Sequence, residues 1–60
     1  MIKLWIVKSS EIGNLYIGRD TLLTEDIKQS KIFDIQQAMS VACNATRFYG
    51  LKFYAQPYVL

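Results

Sequence analysis

Residues 34–50 read DIQQAMSVACNATRFYG and decide the fold, because they carry the start, stop and periodicity signals of one amphipathic helix. Asp34 is a favoured N-cap residue, and Gln37 three positions later completes a variant of the capping box. Gly50 supplies the C-terminal stop. Between these ends a mostly small, apolar stripe recurs at helical spacing. Its members, which predict close packing of the helix on a sheet, are Ile35, Ala38, Ala42, Ala45 and Tyr49.

The segments around this helix have the composition of strands. Residues 2–8 (IKLWIVK) are rich in β-branched and aromatic residues, and residues 15–17 form a second short strand after a turn at Gly13. Residues 51–58 form the last strand, and Pro57 places it at a sheet edge because proline cannot donate a ladder hydrogen bond. We therefore predict a single α+β domain over residues 1–60. Its order is ββαβ, a three-stranded, largely antiparallel sheet with one helix on one face.

The connector at residues 19–30 has no regular pattern. We expect Thr24 to cap a single helical turn there, and Leu22, Leu23 and Ile27 to fold back over the edge of the core. Lys31 to Phe33 is predicted to be extended. Loops of this length in small domains are often functional.

Large side chains occupy both faces of the predicted strands. In the first strand Ile2, Leu4 and Ile6 form one apolar row, while Trp5 and Val7 form the other. We expect the helix to cover one face of the sheet, although a slip of one residue would exchange the rows. The residues expected on the covered face are Ile2, Leu4, Ile6, Leu15, Ile17, Phe53 and Ala55. A chain of 60 residues has too few elements to cover both faces, so the bare face is predicted to meet a partner. The candidate partner-binding residues there are Lys3, Trp5, Val7, Tyr16, Lys52, Tyr54 and Tyr58.

Three roles for this bare face follow from its composition. Tryptophan and tyrosine rimmed by lysine are typical of protein interfaces. The same aromatics could stack nucleic-acid bases, or pair across strands for purely structural reasons. The formal charge of only +2 and the absence of an RNA-recognition signature favour protein contact over nucleic acid. Self-contact is included, because domains this small need help and the single Cys43 rules out an intrachain disulfide.

The composition argues against catalysis. The chain has no histidine, so Cys43 has no imidazole to activate it and is interpreted as an ordinary, partly exposed thiol. Glu25 and Asp26 are more typical of a solvated helix start than of a catalytic pair. We therefore predict a protein that is not an enzyme and binds no cofactor or metal. No stretch approaches the ~20 apolar residues of a membrane span. No secretory signal is visible either, so a cytoplasmic location without membrane contact is expected.

The course of the chain resembles a known kind of protein. A short hairpin is followed by the loop LLTED at residues 22–26, then KIFD at 31–34, an alanine-bearing helix and a terminal strand. This pattern, over residues 2–55, is similar to small uncharacterised early proteins encoded by phages and prophages of low-GC Gram-positive bacteria. The resemblance implies a non-enzymatic protein that binds a host protein and inhibits or redirects it.

Overall fold

A computed structural model describes residues 4–20 and 22–58, which form an antiparallel sheet with one helix packed on one face. The elements in chain order are strands β1 (Trp5–Ser9), β2 (Leu15–Ile17) and β3 (Leu23–Thr24), a 3₁₀ turn (Ile27–Gln29), helix α1 (Ile35–Tyr49) and strand β4 (Phe53–Pro57). The strand order across the sheet is β3-β2-β1-β4. The α+β class with one helix is confirmed. The prediction of three strands is wrong, because the two-residue strand β3 adds a fourth at the edge of β2.

Helix α1 begins and ends where its caps predict. The backbone N–H of Gln37 donates to Asp34 Oδ1 at 2.8 Å, which satisfies one of the unpaired donors of the first turn. Gly50 ends the helix in the left-handed conformation at φ 72° and ψ 13°. The alanines of the stripe are buried, and Phe33, just before the N-cap, belongs to the same core. Ile35, at the margin of the stripe, is exposed.

In strand β1 the row that faces the helix is Trp5 and Val7, and not the expected row of Leu4 and Ile6; Ile2 of that row lies outside the described residues. Val7 has 0% of its surface exposed and lies in the core with the helix alanines, and Trp5 packs against that core. The prediction that Trp5 and Val7 lie on the bare face is therefore wrong. In β4, which pairs Val7 with Ala55, the faces are as predicted, because Phe53 and Ala55 both contact the core beneath the helix.

Residues 30–33 form an extended wedge between β1 and β2. On one side Trp5 and Phe33 exchange two backbone hydrogen bonds, of 3.0 and 2.8 Å. On the other side Lys31 N–H donates to the carbonyl of Ile17 at 2.9 Å. The predicted extension of Lys31 to Phe33 is confirmed. The wedge separates β1 from β2 beyond their two-residue ladder, and it brings Lys31 and Phe33 alongside the helix.

The connector before this wedge differs in detail from the prediction. Leu23 packs against the core as expected, whereas Leu22 is 63% exposed and Ile27 is also exposed. The single turn is capped by Asp26, whose Oδ1 accepts from Lys28 N–H at 2.9 Å. Thr24, the predicted cap, does not cap the turn itself. Its Oγ1 accepts a hydrogen bond from the backbone N–H of Asp26, the residue that does.

Candidate functional site

An apolar groove of about 440 Å³ runs along the flank of α1 that faces β2. It exists because the helix packs on β1 and β4, at one side of the sheet, and leaves the side toward β2 without a helix above it. We call this feature the helix groove. Its described lining residues are Ile17, Lys31, Phe33, Val41, Asn44, Ala45, Phe48 and Tyr49.

The helix groove continues toward the start of the helix. A second depression of about 260 Å³ shares Lys31, Phe33 and Val41 with it and is extended by Gln37 and Ser40. From Gln37 to Phe48 the helix rises about 16 Å at 1.5 Å per residue. That length matches about five residues of an extended segment or about three turns of a helix.

Phe48 is the most exposed large hydrophobic side chain among the described residues, at 80%. Its ring stands edge-on to Tyr49, with ring centroids 4.9 Å apart, and Tyr49 in turn lies 5.8 Å from Phe53 of the core. Tyr49 therefore supports Phe48 at the rim of the groove. Sequence reasoning missed Phe48, which lies about 90° from the centre of the buried stripe at 100° per residue. A large aromatic residue outside the buried stripe was the one feature of the sequence that could have pointed to Phe48 as an exposed contact.

Lys31 is the only charged residue among the described residues that line the groove. Its ammonium lies 5.6 Å from the centre of the Phe33 ring, a cation–π distance. The ring holds the lysine stem against the groove while the side chain stays exposed. The groove thus combines apolar walls with one positive charge near its middle.

The opposite side of the sheet, which we call the helix-free face, carries one row of polar and aromatic side chains across all four strands. The strand registers align Thr24, Tyr16, Lys8 and Tyr54 in that order. Lys8 Nζ lies 5.8 Å from the centre of the Tyr16 ring. Ile6, on the same face, and Tyr16 are both buried, so Tyr54 at 40% exposure is the accessible aromatic of this row.

The seven residues predicted to bind a partner do not form one surface. Trp5 and Val7 face the helix, while the register places Tyr16, Tyr54 and Tyr58 on the helix-free face. The other two predicted residues lie elsewhere: Lys52 is exposed in the connection before β4, where its N–H donates to a carboxylate oxygen of Glu11, and Lys3 lies outside the described residues. The predicted faces of the β2 and β4 residues are therefore correct. Trp5 and Val7 were placed on the wrong face because the two faces of β1 were exchanged in the prediction.

Two further properties concern the described part of the chain as a whole. Over residues 4–20 and 22–58, no three histidine, cysteine, aspartate or glutamate side chains come together as metal ligands. In the same ranges no helix combines the length and the apolar character needed to cross a membrane.

Comparison of the chain with protein-family models, with curated proteins and with solved structures finds no match in any of the three.

Proposed function

We propose that this chain is a non-enzymatic protein-binding module and that its contact surface is the helix groove. The observation that carries the proposal is the 80% exposure of Phe48 at the rim of an apolar groove. Aromatic side chains, phenylalanine included, are enriched at protein interfaces, and the few residues that dominate binding cluster in well-packed pockets. A groove volume near 440 Å³ also falls within the range that receives side chains or small ligands.

The proposal moves the contact away from the face expected from the sequence. Val7 is fully buried and Trp5 is half-buried against the core, so neither is presented on the helix-free face. Phe48 and Val41 replace them as the apolar contacts. As the resemblance to phage-encoded proteins implies, a chain of this size would act by covering a surface of a host protein and so inhibiting or redirecting it.

Site-specific photo-crosslinking in the cells that carry the gene tests this proposal. Benzoylphenylalanine would replace Phe48 in the groove, Met39 on the opposite flank of the helix, or Tyr54 on the helix-free face. Met39 is the matched control, because it is 61% exposed on the same helix. We expect discrete protein adducts from position 48 and not from position 39. Adducts from position 54 alone would contradict the proposal.

Self-association is part of the same proposal. With no other partner present, Phe48 of one copy would bury its ring against the groove of a second copy, because large exposed apolar side chains gain free energy by leaving water. Light scattering over a range of concentration should give a mass that rises above that of the monomer. The Phe48→Ser variant should stay monomeric, whereas Met39→Ser should behave as the unmodified protein. Equal masses for all three would count against self-contact at this site.

Nucleic-acid binding is the second candidate, and the row on the helix-free face favours it. Lys8 lies between Tyr16 and Tyr54 in this row. Its ammonium could contact a phosphate while the ring of Tyr54 stacks on a base. Binding of this kind weakens steeply with salt as counterions are released. Titration of a labelled single-stranded oligonucleotide at two salt concentrations, with Lys8→Glu and Tyr54→Ser beside the unmodified chain, distinguishes it from protein binding. Salt-insensitive or undetectable binding would remove this candidate.

A further inference from the structure

We propose that the helix groove receives a short segment of another protein in which one or two large apolar side chains lie to one side of an aspartate or glutamate. The inference rests on the proposed function and specifies the chemistry of the partner. It follows from the distribution of charge around the groove, which is uneven in a way that the composition alone does not reveal.

Most of the carboxylates of this chain already accept hydrogen bonds from its own backbone. Each of four acidic side chains accepts a hydrogen bond from a main-chain N–H in a loop or at a helix start, namely Glu11 from Lys52, Asp20 from Leu22, Asp26 from Lys28 and Asp34 from Gln37. None of the four is among the described residues that line the groove. These four acids therefore serve local structure, and Lys31 is the one charged residue among the described residues that line the groove.

Lys31 carries the positive charge of the groove, at a position where a bound segment can reach it. With Phe33 and the helix residue Val41, it is one of the three residues that line both depressions. Its ammonium lies 5.6 Å from the centre of the Phe33 ring and stays accessible, because Lys31 is exposed. An incoming carboxylate would gain a charge-assisted hydrogen bond there, while an incoming lysine or arginine would meet a like charge.

The apolar part of the occupant is set by the residues on either side of Lys31. Toward the end of the helix the groove presents Phe48 and Tyr49, and beneath it lies Ile17 of β2. Toward the start it presents Gln37 and Ser40, which can hydrogen-bond to a peptide backbone. The arrangement fits one or two large apolar side chains on the Phe48 side of the carboxylate, within a segment of about five extended residues.

The experiment uses the full chain, labelled with ¹⁵N, and two pools of capped seven-residue synthetic peptides. The pools share randomised leucine, isoleucine and phenylalanine at the flanking positions and differ only at the centre, which is Asp in one and Lys in the other. Binding is followed by amide shifts of Ile17, Val41 and Phe48 as each pool is titrated. We expect the Asp pool to bind about 5-fold more tightly, the size of a partly exposed ion pair.

Two charge reversals decide whether Lys31 sets this preference. Lys31→Glu should reverse the order of the two pools, while Lys28→Glu should leave it unchanged, because Lys28 is exposed on the 3₁₀ turn outside the groove lining. Equal affinity of the pools, or a preference that persists in Lys31→Glu, would overturn the inference. If both pools shift Val41 and Phe48 equally and Phe48→Ser abolishes both, the groove still binds protein and only the acidic preference fails. If neither pool shifts the groove at millimolar concentration, the inference fails, and photo-crosslinking from position 48 then judges the proposed function separately.

Discussion

The hydroxyl of Thr46 joins the last turn of α1 to the first residue of β4. Thr46 Oγ1 accepts from the backbone N–H of Phe53 at 2.9 Å and itself donates to the carbonyl of Ala42 at 2.8 Å. Both capacities of one half-buried hydroxyl are therefore used. The contact fixes how the chain leaves the helix and enters the edge strand, so it also sets where Phe48 and Tyr49 stand at the groove.

Replacing Thr46 by valine should destabilise the fold by about 1–3 kcal/mol, because the shape is kept while the N–H of Phe53, a buried residue, loses its partner. In a domain of this size that corresponds to a fall in Tm of at least about 4 °C. Urea unfolding followed by circular dichroism measures the change. Thr46→Ser keeps the hydroxyl and should lose much less. Equal stability of the Val variant and the unmodified chain would show that the hydrogen bond is energetically neutral.

The same hydroxyl also protects the exposed edge of β4. Tyr58 N–H donates to the carbonyl of Leu4, so the alternation of an antiparallel ladder directs the backbone groups of Phe53, Ala55 and Pro57 outward. Thr46 occupies the N–H of Phe53, and Pro57 has none. Within Phe53–Pro57, Ala55 is then the one residue whose outward N–H can pair with a further strand. Proteins commonly blunt sheet edges in this way.

Restoring donors to this edge should make the protein associate. We expect the Thr46→Ala, Pro57→Ala double variant to show a mass that rises with concentration in light scattering. The smaller side chain at position 46 uncovers the N–H of Phe53, and alanine at position 57 restores a donor, so outward N–H groups become available at three alternate positions, 53, 55 and 57. The comparison is made in a Phe48→Ser background, so that contact through the helix groove does not contribute. Each single variant should associate less than the double variant. A double variant that remains monomeric would mean that the edge is protected by something other than its missing donors.

The sequence predicted the helix well because its signals are local. Capping by Asp34, the stop at Gly50 and the alanine stripe each depend on residues within a few positions of one another, and all three are confirmed. The face of β1 could not be decided in the same way. Its two rows are both apolar, so alternation separates them without saying which row meets the helix, and only the tertiary structure chooses. The strand β3 was missed because two residues are too short to show a period.

The groove was beyond sequence reasoning for a different reason. It is formed by the flank of α1, by Ile17 of β2 and by the wedge that carries Lys31 and Phe33, segments separated along the chain and brought together only by the fold. A volume between elements has no local signature in the sequence. Phe48 could still have been marked as an aromatic outside the buried stripe, and Lys31 as a cation beside an aromatic, but nothing local joins these two residues.

The orientation of β1 can be tested with the chain's only cysteine. Cys43 is exposed on α1, so a nitroxide attached to it reports distance from the helix. Because Val7 faces the helix and the alternation of β1 turns Ile6 away, the methyl signals of Val7 should broaden more than the δ1 methyl of Ile6. Methyl spectra recorded before and after reduction of the nitroxide give the comparison. Stronger broadening at Ile6 would support the row first expected from the sequence.

Gly50 offers a test of the helix end that isolates backbone conformation from packing. Its φ is 72°, in the left-handed region, and a Cβ placed on it would meet no atom within 4 Å. Gly50→Ala should therefore cost about 1 kcal/mol through conformation alone, because an L side chain resists this region. A chemically synthesised chain with D-alanine at position 50 should be at least as stable as the unmodified protein, since a D residue favours positive φ and restricts the unfolded chain. Thermal unfolding of the three chains measures the order. Equal losses for the L and D variants would mean that side-chain bulk matters at this position, and the left-handed cap would then not be the reason that the helix ends at Gly50.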